Sequence, residues 1–164
     1  MVQQREEDQK ALNEIQLVIF CLGREEFGMD IAQVKEIIRM QNVTPMPRSP
    51  QFIEGIINLR GQIIAVMDMA QRFGMESSKR TDKARIVVVE VQGNTVGVVV
   101  DEVPEVLRIS LDDIAEAPEM IETQVHADFI KGVGKLENRL IVLLNADKIL
   151  SQEESKELVQ ATQE

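Results

Sequence analysis

The chain has no tryptophan and no tyrosine, and aromatic residues make up 3% of its 164 positions. With 44% hydrophobic residues, its core must be packed mainly by aliphatic side chains. The eight methionines are either adaptable filler there or an accommodating surface. Few aromatics leave little to stack on bases, and a net charge of −10 repels phosphate backbones. No nucleic-acid partner is therefore expected, and an anionic membrane surface is disfavoured for the same reason. Cys21 is the only cysteine, so no intramolecular disulfide forms; it lies in an apolar strand pattern, where an inert thiol is expected. His126 is the only histidine and is expected to be a solvated loop residue, which leaves no Ser-His-Asp or Cys-His arrangement. No Cys-x-x-Cys or His-x-x-x-His spacing marks a metal site. Gly132-Val133-Gly134 lacks the third glycine of a phosphate loop and enters a strand. The adjacent carboxylates Glu25-Glu26 and Asp112-Asp113 fall in turns, where solvation accounts for them. The expectation is no catalysis, no metal and no cofactor. No apolar run approaches the roughly 18 residues of a membrane span, and residues 3–14 are polar rather than a signal peptide. A cytoplasmic protein without membrane insertion is expected.

What the chain does contain is itself, twice. Residues 52–67 return as residues 129–144 at an offset of 77, with Phe, Ile, Gly, Leu and a second Ile identical. A weaker copy at offset 69 pairs residues 17–20 with 86–89, Phe27-Gly28 with Val96-Gly97, and Val34, Glu36, Ile37, Ile38 with Val103, Glu105, Val106, Leu107. The offsets differ by 8, so the second copy carries an insertion, placed within residues 115–127. Two copies are too few for a solenoid, which needs about three. Two similar fused β subdomains are expected.

Along the chain, residues 1–14 read as a flexible polar tail with net charge −2, and 151–164 as a polar tail with net charge −3, helical only when bound. Strands are expected at 15–22 and 26–31, then a short helix over 32–40 capped by Asp30, on which Val34, Ile37 and Ile38 share a face. Pro45, Pro47 and Pro50 make 44–50 an extended connector. Strands at 52–58 and 62–68 flank a tight turn in which Gly61 is available for positive φ. Asn138 is the tolerant residue of the equivalent turn in the second copy. A helical turn follows at 69–73, and a polar linker at 75–83. A hairpin at 85–91 and 95–100 turns around Gly93-Asn94. An edge strand at 103–109 begins near Pro104. Strands at 129–136 and 139–145 and a short helix at 146–150 complete the pattern. Many short strands with tight turns indicate small barrels. Residues 63–67 and 140–144 are apolar on both faces, so one face fills a barrel and the other can meet the junction between barrels.

Binding is the remaining class of function. Arg60, in the turn between two very apolar strands, is either an ordinary hairpin-tip charge or a partner contact. The stripe of Val34, Ile37 and Ile38, with its repeat-mate Val103, Val106 and Leu107, is either core or the wall of an apolar groove.

These residues carry a resemblance. The segment Phe-Ile-Glu-Gly-Ile-Ile-Asn-Leu-Arg-Gly-Gln-Ile-Ile-Ala-Val-Met-Asp at 52–68 resembles the hallmark of the CheW-like domain. So do Phe27-Gly28-Met29-Asp30-Ile31, Val34-Lys35-Glu36-Ile37, Thr44-Pro45-Met46-Pro47, residues 96–103 and Val106-Leu107. The resemblance covers about residues 15–150; Ala65 stands where the family often has proline. It implies a mainly β fold of two intertwined five-stranded SH3-like barrels sharing a core, with a few short helices. The repeat copies, about 15–74 and 84–150, would be the subdomains, with strand exchange between them allowed. It further implies a non-catalytic chemotaxis adaptor that couples the helical hairpin at the cytoplasmic tip of chemoreceptors to the histidine kinase CheA, recruited to membrane-associated receptor arrays. The alternative is the same domain as the regulatory part of a CheA or CheV-type protein. By the resemblance, Val34, Val103 and Val106 face the receptor, Ile37 lies in the groove or the core, and Glu36 on the short helix pairs with Arg60 to shape a partner surface.

Overall fold

Segments rich in Val, Ile and Leu build eleven strands, seen in a computed structural model that describes residues 13–47, 49–75, 80–116 and 127–162. In chain order they are β1 (Glu14–Leu22), β2 (Glu25–Asp30), β3 (Val34–Arg39), β4 (Ile53–Leu59), β5 (Gln62–Asp68), β6 (Arg85–Val91), β7 (Asn94–Val100), β8 (Glu102–Ser110), β9 (Ile114–Ala115), β10 (Ile130–Leu136) and β11 (Arg139–Leu144). The α-helices are α1 (Met69–Arg72) and α2 (Gln152–Thr162), with 3-10 turns at Ile31–Gln33, Leu111–Asp113, Ala127–Phe129 and Ala146–Lys148. Among the described residues no helix is long and apolar enough to cross a membrane.

The strands form two sheets, ordered β8-β1-β2-β11-β10-β9 and β3-β6-β7-β5-β4, which curl into two SH3-like barrels. The orders are related by the repeat. In each, the first two strands of one copy sit between the third strand and the final hairpin of the other. The repeat boundaries at 15–74 and 84–150 therefore do not bound the sheets: each barrel takes strands from both copies. The correspondence extends to detail. The β4–β5 ladder slips between Ile53 and Gly55, and the β10–β11 ladder slips between Ile130 and Gly132. The β5–β7 and β11–β2 pairings are both parallel. Pro104 lies in β8, an outer strand, where its missing N–H costs no ladder bond.

The apolar runs of β5 and β11 divide between the cores except at their first residues, Ile63 and Leu140, which stand 38% and 61% exposed rather than covered. Ile64 and Val66 fill the barrel of β3 to β7 with Ile57, Ile86, Val88 and Val99. Ile141 and Leu143 fill the other with Leu17, Ile19 and Ile109. The intervening Ala65, Met67, Val142 and Leu144 join the core between the barrels. The interior is mainly aliphatic, as expected, and its few phenylalanines are gathered in one place. Both barrel centres are aliphatic, but Phe20, Phe27, Phe73 and Phe129 make a chain of ring contacts at 5.7, 5.9 and 5.2 Å through the shared core. Large flat rings suit the wide gap between two sheets better than the narrow centre of a small barrel.

Several local expectations are corrected. The helix over 32–40 is absent: Asp30 does cap, its Oδ1 accepting from Ala32 N at 2.9 Å, but only for one 3-10 turn. At Val34 the backbone becomes extended, with φ −98 and ψ 120. Val-Lys-Glu-Ile-Ile then pairs with β6, and a slip between Val34 and Glu36 lets an i, i+3, i+4 apolar spacing fit a strand. Glu36 is thus a strand residue. The β6–β7 turn is Gln92-Gly93, with φ of 51 and 81, rather than Gly93-Asn94. Residues 152–162 are helical against this chain itself. Its start is a reciprocal cap: Ser151 N donates to Glu154 Oε1 at 2.8 Å, and Glu154 N to Ser151 Oγ at 3.1 Å. The insertion, with His126, lies largely outside the described residues, as do the first twelve residues of the N-terminal tail and much of the linker.

Candidate partner-binding surface

The two strands that carry the candidate apolar stripe, β3 and β8, are each an outer strand of a sheet. Pleating alternates their side chains: Val34, Glu36 and Ile38 are half-buried on β3, while Lys35, Ile37 and Arg39 face out. On β8, Val103, Glu105 and Leu107 are half-buried and Pro104, Val106 and Arg108 are exposed. The candidates therefore separate into two repeat-related pairs. Val34 and Val103 lean on the core between the barrels. Ile37 and Val106 stand 38% and 45% exposed. The sequence treats the four as one stripe; the strand geometry makes an inner and an outer pair.

Arg60 and Glu36 do meet. Hairpin β4–β5 turns at Arg60 and Gly61, with φ of 52 and 88, and Asn58 Oδ1 accepts from Gly61 N at 2.8 Å. This left-handed turn carries the guanidinium to β3, where Nη1 donates to Glu36 Oε1 at 3.0 Å and Nη2 to Oε2. The fork is bidentate and lies at the surface, with the Arg60 side chain 70% exposed and that of Glu36 29%. Hydrogen bonding from Arg60 holds the Glu36 carboxyl below the usual carboxylate range, and Glu36 in turn raises Arg60. Beside it, Lys35 Nζ donates to Thr95 Oγ1 at 2.6 Å.

The second barrel has a counterpart that sequence reasoning missed. Arg139 donates Nε to Glu26 Oε2 at 2.9 Å and Nη2 to Glu26 Oε1 at 3.1 Å, and Nη1 reaches Glu105 Oε1 at 3.2 Å. Glu105 is the repeat-mate of Glu36, a signal visible at offset 69. The arginine was hidden because it stands two residues beyond the repeat-mate of Arg60, which is Glu137. Asn138 does not take the expected role: among the described residues the non-glycine positive φ values belong to Arg60 and Gln92. The second hairpin turn thus closes without the left-handed step.

The ends of the repeat copies converge at the junction of the barrels. Asp68 N donates to Phe52 O at 2.7 Å, and its repeat-mate Asn145 N donates to Phe129 O at 3.1 Å. The guanidinium of Arg72 lies over both rings, 4.6 Å from Phe52 and 5.3 Å from Phe129, so the two phenylalanines occupy equivalent places around one cation. Asp68 also caps α1 through Ala70 N at 3.0 Å and pairs with Arg80 at 3.2 Å; burial raises its carboxyl above the usual range. Arg80 also pairs with Glu54. Among the described residues no three His, Cys, Asp or Glu side chains cluster to hold a metal ion.

The arrangement offers surfaces for binding: exposed apolar side chains on outer strands, flanked by forked ion pairs. Residues 16–154 match the family model described as CheW-like domain. The chain is 35% identical over 139 residues to the chemotaxis protein CheW of Klebsiella aerogenes, covering 85% of this chain and 83% of that one. It is equally 35% identical to the chemotaxis protein CheW of Rhizobium meliloti, covering 85% and 89%. Among solved structures, the scaffolding protein TtCheW of Thermoanaerobacter tengcongensis superposes with a TM-score of 0.79 at 34% identity, covering 85% of this chain and 90% of that one.

Proposed function

Because the chain belongs to the CheW-like domain family, a family of non-enzymatic scaffolds, we propose that it is a chemotaxis adaptor joining the cytoplasmic helical hairpin of chemoreceptors to the histidine kinase CheA. The observation that carries this reading is the near full-length agreement with relatives named chemotaxis protein CheW, and with a structure titled as a scaffolding protein. An adaptor works by holding two partners at once. The fold supports that with two barrels, each presenting its own outer strand and forked ion pair. The receptor-facing side chains are Val34 and Val103 at the junction, with Ile37 and Val106 beyond them. An apolar ridge of a helical hairpin can lie against such a surface. The Glu36–Arg60 pair shapes the neighbouring partner surface. In the cell the protein is recruited from the cytoplasm to membrane-associated receptor arrays.

The test is retention on immobilised receptor cytoplasmic hairpin, with and without CheA. Retention of CheA on the receptor fragment should rise when this protein is added. If it binds neither, or binds each only in the absence of the other, the adaptor reading fails.

A further inference from the structure

We propose that α2 is a displaceable strap, and that the cleft beneath it is a docking seat for a partner helix bearing a carboxylate and, four residues on, a large apolar side chain. The seat is separate from the outer strands β3 and β8 and does not depend on the role assigned to them. Its first element is Arg72. Held over Phe52 and Phe129, it donates Nε to Ile149 O at 2.7 Å and Nη2 to Glu154 Oε1 at 3.0 Å. One helical turn beyond Glu154, Leu158 reaches the core between the barrels. Residues i and i+4 share a helix face, so Glu154 and Leu158 define the pattern that the seat reads: an anion on Arg72, then an apolar side chain.

The fit of α2 to this seat is incomplete. A half-open pocket of about 140 Å³ lies between α2, which lines it with Glu154, Glu157 and Leu158, and the wall formed by Met46, Pro47, Phe52 and Ile53. Ser155, only 5% exposed, buries an Oγ that has no hydrogen-bond partner among the described residues. A buried hydroxyl without a partner loses its hydration with nothing in return. The helix has eleven residues, too short to be stable away from its seat, since isolated helices below about 12–15 residues are marginal in water. A helix with alanine at the Ser155 position and a bulkier apolar group at the Leu158 position would satisfy the same Arg72 contact, remove the stranded hydroxyl and fill the pocket. Such a helix displaces α2.

A labelled peptide of residues 151–164 carrying Ser155→Ala and Leu158→Phe is the probe, titrated by fluorescence anisotropy against the full chain. It should bind the full chain carrying Leu158→Asp, whose strap is lifted, at least about tenfold more tightly than the wild type. Glu154→Lys in the peptide should abolish binding to both. Equal affinity for the two chains, or binding indifferent to Glu154→Lys, overturns the proposal. Should the Leu158→Asp chain prove unfolded by circular dichroism, hydrogen exchange on the full chain decides. Amides of α2 should exchange faster than those of β6 and β7, and Ser155→Ala should raise their protection about tenfold. Protection unchanged by Ser155→Ala sinks the idea. A wild-type dimer held by exchanged α2 helices would assign the seat to a second copy and overturn the partner reading.

Discussion

At the scale of single residues, the surface reading separates by exposure. Val106 stands out from β8 and contributes little to any core, so Val106→Glu should fold normally. It would place a charge against an apolar ridge, a cost of several kcal/mol unless it is paired. Titration with a receptor fragment should show affinity falling about tenfold or more, equivalent to ~1.4 kcal/mol; undiminished affinity would remove Val106 from the site. The Arg60–Glu36 fork makes a prediction about pH. Glu36 titrates below its ordinary range because Arg60 donates to its charged form. Whatever order the fork lends to the hairpin tip is therefore present above the ordinary carboxylate pKa and is lost as pH falls through the lowered one. Carboxyl NMR should find Glu36 titrating low in the wild type and returning toward the ordinary glutamate value in Arg60→Ala. An unshifted Glu36 in the wild type would mean that the fork does not persist in solution.

At the scale of elements, the connector between β3 and β4 depends on one glycine. Thr44 N donates to Ile56 O at 2.9 Å, and Ile56 N to Thr44 O at 2.8 Å, tying the proline-rich connector to β4. This brings the backbone of Thr44 onto Gly55, where an added Cβ would lie 2.0 Å from Thr44 O, and Gly55 itself has φ +153. Backbone cannot yield as a side chain tip can. Gly55→Ala should therefore cost about 2 to 4 kcal/mol, combining backbone strain with loss of the connector's bonds. Chemical denaturation measures it, and a loss below about 1 kcal/mol would show that the connector moves freely. The β3 segment teaches the complementary lesson. Its helix signals were genuine as far as Asp30 reaches, but pairing with β6 overrides them beyond Gln33.

At the scale of the molecule, strand exchange makes the two barrels interdependent. β1 and β2 find their neighbours in β8 and β11, while β6 and β7 find theirs in β3 and β5. Neither repeat copy has a complete sheet of its own. A fragment of residues 13–75 should therefore lack a cooperative transition by circular dichroism, and the whole chain should unfold in a single step seen identically by independent probes. A first copy that folds alone, or two separate transitions in the whole chain, would refute this interdependence.

Much of this was legible in the amino-acid order. Periodicity and turn chemistry located most strands, and the repeat at offsets 77 and 69 announced two similar barrels. The doubly apolar runs at 63–67 and 140–144 foretold that one face of each meets the other barrel. The hallmark segment at 52–68 placed Arg60 in its turn, and its resemblance to the family paired it with Glu36. Tertiary structure decided the rest, because the deciding contacts join residues far apart in the chain. Repeat similarity is the same whether each copy folds on itself or trades its first two strands, so only the sheets reveal the exchange. An apolar spacing of i, i+3, i+4 suits a helix, or a strand with a slipped register, and β6 chose the strand. The polar C-terminal stretch carries a helix-start signal at Ser151 and Glu154, but too little apolar surface to hold a helix alone; Arg72 and the cleft beside Phe52 supply what it lacks.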